Sequence, residues 1–117
     1  MAIATVLGRT LMATSYSTSL GKFGALTTTA PGATTGTELT GGSPAYARLA
    51  PTWGSASASV ITTTAALAFN VGSGNTVVGF EFFDALTVGN YLDGVGITSQ
   101  AFASQGTYSI TPTYTQS

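Results

Sequence analysis

The sequence predicts a mainly β protein: a small antiparallel β-sandwich or jelly-roll-like barrel, preceded by a short N-terminal helix or arm. Three observations carry that prediction. Short runs rich in Val, Ile, Phe, Tyr and Thr recur near residues 60–69, 76–83, 90–98 and 107–115, each bounded by Gly, Asn or Ser. Regular spacing of such runs, with turn signals between them, is the pattern of sandwiches and barrels and not of βαβ units. In the last run, Tyr108, Ile110, Pro112 and Tyr114 alternate with Thr107, Ser109, Thr111 and Thr113, which gives one face of large side chains and one of hydroxyls. The length of 117 residues suits one domain with one modest core.

Residues 1–22 are expected to form the helix or arm, and residues 23–117 a single β domain. In "AIATVLGRTLMA", Ile3, Val6, Leu7 and Leu11 fall near helical spacing, although Gly8 weakens a helix by about 1 kcal/mol relative to Ala. The start superficially resembles a signal peptide. It has no basic leading segment, Arg9 interrupts the apolar run, and the apolar stretches fall short of the ~20 residues that cross a bilayer. A soluble, unprocessed chain with no membrane partner is therefore expected.

"FGALTTT" is a short apolar run, followed by "APGATTGTELTGGSPAYAR", whose prolines and glycines mark a long surface loop. "TWGSASASVITTTAALAFN" is rich in Ser and Ala but becomes more apolar toward Phe69, and low charge argues for order. At the C-terminal end, Pro112 cannot donate to a strand ladder, which places that strand at an edge.

Only 6% of residues are charged: Arg9, Lys22 and Arg48 against Glu38, Glu81, Asp84 and Asp93, for a net charge of −1. Three scattered cations cannot neutralise a run of phosphates, so nucleic acid is not an expected partner. Ser and Thr make up about 30% of the chain, a weakly charged surface suited to being covered by neighbouring subunits. There is no Cys and no His, which removes disulfides, thiolate metal sites, the commonest general base and the usual partner of a serine nucleophile.

The remaining candidates are carboxylates and aromatics. Strand alternation in "VVGFEFFDA" puts Phe80 and Phe82 on one face and Glu81 and Phe83 on the other, so Glu81 and Asp84 diverge and do not form a catalytic pair. Asp84, before "ALTVGN", and Asp93, in an Asp-Gly pair, read as turn caps. "NYLDGVG" supplies one carboxylate where a calcium loop needs several, and no Gly-rich stretch leads to a phosphate-binding lysine. No enzymatic activity, metal or cofactor is expected. Two readings of the aromatics stay open. Tyr46, Trp53 and Tyr91 could stack on a glycan, or Trp53 could anchor the core with Arg48 as a hydrogen-bonding strut.

At "TGTELTGGSPAYAR" and "FFDALTVGNYL" the chain resembles small virion proteins of tailed bacteriophages, especially those of actinobacterial hosts, described as head-decoration, minor capsid or tail-fibre-like proteins. The resemblance covers about residues 26–100 and rests on Thr35 to Glu38, Gly41, Gly42, Tyr46 to Arg48, Phe83, Asp84, Ala85, Gly89, Asn90 and Leu92. Pro44 and Ala45 are additional to the pattern, and "TVGN" stands where a second glycine is common. The resemblance implies a non-enzymatic virion protein on the phage head, a homotrimer bound to the major capsid protein. A tail-tip or tail-fibre component and a carbohydrate-binding adsorption module are the alternatives. The surfaces expected to meet subunits or partners are Leu7 and Leu11 on the arm and Tyr108, Ile110 and Tyr114 on the edge strand, while the Glu38–Arg48 loop is expected to be an internal clamp or a subunit contact, through a Glu–Arg pair within or between subunits.

Overall fold

A computed structural model describes residues 3–116. Helix α1 (Val6–Ser19) precedes seven strands: β1 (Phe23–Thr27), β2 (Val60–Thr62), β3 (Leu67–Val71), β4 (Thr76–Phe83), β5 (Tyr91–Ala101), β6 (Gly106–Ile110) and β7 (Thr113–Thr115). All pairings are antiparallel, and they form a three-stranded sheet ordered β1-β4-β5 and two ribbons, β2-β7 and β3-β6. The mainly β antiparallel fold with a short N-terminal helix is thus the one expected.

The core draws on every layer. Leu26 of β1, Phe69 and Val71 of β3, and Val77, Phe80 and Phe82 of β4 are buried together with Tyr16 of the helix and Leu39 of the long loop. Phe80 and Phe82 lie on the same face, as period-2 alternation requires, with their rings edge to face at 4.9 Å.

Two of the expected runs are each divided between two sheets. The 60–69 segment breaks into β2 and β3, and the 107–115 segment breaks at buried Pro112 into β6 and β7. Because proline offers no N–H, the ladder ends there, and β7 turns away to pair β2 while β6 pairs β3. The alternation itself persists through the break: Thr107, Ser109, Thr111, Thr113 and Thr115 are exposed, while Tyr108, Ile110 and Tyr114 are half-buried against the core. The large face of this segment therefore packs against the core.

Helix α1 begins at Thr5, whose Oγ1 accepts the Gly8 N–H at 3.0 Å. It has no acidic residue in its first turn and no basic residue in its last, so its stability must come from docking. Ala13 and Tyr16 form the buried face. The turn at Ala58 and Ser59, both left-handed with φ of 48° and 72°, clips onto the helix: Arg9 Nε donates to Ser59 Oγ at 3.1 Å, and the Ser59 N–H donates to Thr10 Oγ1 at 3.0 Å. Leu7 and Leu11 lie on the opposite face, 70% and 61% exposed.

Gly79, in the middle of β4, shows how closely the loop is pressed onto the sheet. A Cβ there would lie 2.3 Å from Pro31 Cδ and 2.4 Å from Thr27 Oγ1. Gly79→Ala is accordingly expected to destabilise the protein by about 1–3 kcal/mol through overpacking. Denaturant unfolding checks this, and an unchanged midpoint would mean that the 28–36 loop is not held against β4.

Candidate functional site

All four carboxylates accept hydrogen bonds from other residues of the chain. Glu38, in the long loop, meets Arg48 in a two-pronged ion pair: Nη2 to Oε1 at 2.8 Å and Nε to Oε2 at 2.9 Å. The Arg48 side chain is only 7% exposed. Its remaining nitrogen, Nη1, donates to the carbonyls of Ala85 and Val88 at 2.8 and 2.7 Å. Its guanidinium carbon sits 3.7 Å above the Phe83 ring. One cation thus ties the 38–48 loop, the end of β4 and the 84–90 loop together. Tyr46 completes the cluster by donating to Glu38 Oε2 at 2.7 Å and accepting the Leu26 N–H at 3.1 Å. Burial raises the Glu38 carboxyl, but the hydrogen bonds from Arg48 and Tyr46 outweigh it and hold the group below its ordinary range.

The 84–90 loop is closed by the next carboxylate. Asp84 Oδ1 accepts the Asn90 N–H at 2.7 Å and Oδ2 accepts Asn90 Nδ2 at 2.8 Å. The Asn90 backbone amide and side chain hold the Asp84 carboxyl below its ordinary range. Val88 has φ of 56°, a strained value for a β-branched residue, and the bond from Arg48 to its carbonyl helps to fix it.

Glu81 is fully buried on β4. Its carboxylate accepts the Thr35 hydroxyl at 2.9 and 3.0 Å and the Gly36 N–H, which fastens the long loop across the sheet. Glu81 and Asp84 serve different loops and do not share a cleft.

Asp93 lies within β5, opposite Phe82, and not in a hairpin turn; this corrects its reading as a turn cap. The neighbouring glycine serves close approach instead of turning: a Cβ at Gly94 would lie 2.6 Å from the Tyr91 hydroxyl and 2.9 Å from Pro31. Asp93 Oδ2 accepts the Tyr16 hydroxyl at 2.6 Å and Oδ1 accepts the Gly94 N–H at 2.9 Å. Tyr16 was not among the candidate residues. Its one sequence signal is its position three residues after Ala13 and four before Leu20, an apolar stripe within a Ser/Thr-rich stretch.

The three aromatics considered for glycan stacking do not converge. Tyr46 belongs to the Arg48 cluster. Trp53 donates Nε1–H to the Gly21 carbonyl at 2.8 Å and packs against Tyr16 and Phe82. Tyr91 donates to the Gly32 carbonyl at 2.7 Å and leans on Phe83. Trp53 is therefore a core anchor and Arg48 a strut within the chain.

Among the described residues, no three His, Cys, Asp or Glu side chains group to hold a metal ion, and no helix is long and apolar enough to cross a membrane. The chain belongs to the family of the podophage GP4 fiber I protein gp80, whose model matches residues 3–113, and is thus a phage virion structural protein. No curated protein and no solved structure matches it. The match supports the virion assignment and not the narrower placement among head-decoration proteins of actinobacterial phages.

Proposed function

We propose that the chain is a non-enzymatic structural subunit of a phage fibre, with a tail location ahead of head decoration. The observation that carries this reading is the match to a fibre protein family over nearly the whole chain. The geometry supports it: the residues behind the resemblance to head-decoration proteins, Glu38, Tyr46, Arg48, Asp84 and Asn90, are engaged with one another or with nearby backbone. Gold-labelled antibody against the protein, applied to intact particles, tests the location. Label on the fibres is expected, and label spread over the head facets would overturn the tail reading.

In this reading identical copies associate, as a trimer, through the outward face of α1. Leu7 and Leu11 stand one turn apart there, 70% and 61% exposed, and burying such a pair supplies hydrophobic association that the weakly charged surface does not oppose. Leu7→Ser with Leu11→Ser is expected to leave the fold intact, since neither side chain packs on the body, and to dissociate the assembly. Sedimentation decides it: an unchanged oligomer would move the contact elsewhere.

A further inference from the structure

A concavity lined by aromatic side chains is not used by the clamp or by the outward helix face. It is a cavity of about 330 Å³, at the small end of the ~300–1,000 Å³ of small-molecule sites. Tyr16, Trp53, Phe82, Ile110 and Tyr114 form its walls and Asp93 contributes its one charge. Val95, Thr111 and Thr113 are exposed and lie at its rim.

The polar tips of these aromatics are already engaged. Trp53 Nε1 donates to Gly21, the Tyr16 hydroxyl to Asp93 and the Tyr114 hydroxyl to Gln116. A sugar needs several donors and acceptors converging on its hydroxyls, and the walls offer few. What they do offer is aromatic surface and a carboxylate. Asp93 is bonded only to a phenol and a backbone amide, so it keeps acceptor capacity. It also has no cationic partner: the ion pair among the described residues is Arg48–Glu38, and no Lys or Arg lines the cavity. Aromatic faces around an anion attract a weakly hydrated organic cation, through ring quadrupoles and direct charge complementarity.

We infer that this cavity is a binding site for an alkylated ammonium group, held against Trp53 and Tyr114 with its charge facing Asp93. Trp53 is the only tryptophan, so its fluorescence reports occupancy directly. The full chain is titrated with choline chloride at constant ionic strength, and in parallel with 3,3-dimethylbutan-1-ol, which has the same shape without the charge. A saturable change with choline is expected, with binding of the neutral isostere weaker by roughly tenfold or more. Asp93→Asn keeps an acceptor for Tyr16 and should weaken choline by a similar factor. Val95→Phe, which blocks the rim and leaves Asp93 and the core in place, should abolish binding whether or not the Asp93 variant folds. Absence of saturation, equal binding of the isostere, or undiminished binding by a folded Val95→Phe protein would each overturn the inference.

Discussion

Replacing Arg48 with alanine is expected to destabilise the protein by about 3–5 kcal/mol, a large part of the ~5–15 kcal/mol that holds a domain together. The reason is the asymmetry of a desolvated ion pair. Arg48 is 7% exposed and satisfies both oxygens of Glu38, which is itself 26% exposed. Truncating the cation strands that carboxylate next to Tyr46, unties the Ala85 and Val88 carbonyls and uncovers the Phe83 ring. The double variant Glu38→Leu with Arg48→Met removes both charges and should be less damaged than Arg48→Ala alone, because no buried charge is left without a partner. Urea unfolding of the three proteins checks this, and an Arg48→Ala protein within about 1 kcal/mol of the parent would show the clamp to be incidental.

The same pair sets a pH dependence. The Glu38 carboxyl is held below its ordinary value of 4.5 in the folded protein, so the unfolded chain binds a proton more readily as the solution is acidified. Its contribution is fully present above the ordinary glutamate range and is lost as pH falls through that range and on through the lower folded value. In the Arg48→Ala protein this part of the acid sensitivity should disappear. Stability measured between neutral pH and pH 3 separates the two outcomes.

What could be read from the sequence follows the range of the interactions that decide it. The strand pattern is local: alternation in 107–115 and the pairing of Phe80 with Phe82 on one face follow from period 2 alone, and both hold in the structure. That this pattern packs against the core depends on where β3 and β2 lie, which no local signal fixes. Asp93 shows the local signal overridden. Asp-Gly favours a tight turn, but pairing with β4 holds it in a strand, and the glycine is there because Pro31 and Tyr91 leave no room for a side chain. Glu81 is the opposite case: its alternation to the side away from Phe80 and Phe82 was legible, yet its partners at residues 35–36 lie 46 and 45 positions away. The Glu38–Arg48 pair, ten residues apart in one loop, was the long-loop contact close enough in sequence to be anticipated.

Tyr16→Ala is expected to cost about 3–5 kcal/mol and to release helix α1 from the body. Tyr16 is 8% exposed. Its ring stacks on Tyr114 at 3.8 Å between centroids and meets Trp53 and Phe82 edge-on, each at 6.1 Å. Its hydroxyl, held protonated far above the usual phenol range by burial and by Asp93, donates to that carboxylate at 2.6 Å. The helix has little to hold it otherwise. It is 14 residues long, contains Gly8, and carries Ser or Thr side chains that bond back to its own carbonyls, as at Thr14, Ser17 and Thr18; such a segment is marginal alone. Tyr16→Phe keeps the ring contacts and removes only the hydroxyl, so it should cost about 1–2 kcal/mol and leave the helix docked. Amide exchange across residues 6–19 distinguishes the two: protection should collapse in the alanine variant and persist in the phenylalanine variant. Equal protection in both would mean that the Arg9 and Thr10 contacts to Ser59 suffice to hold the helix, and that the aromatic stack is not its anchor.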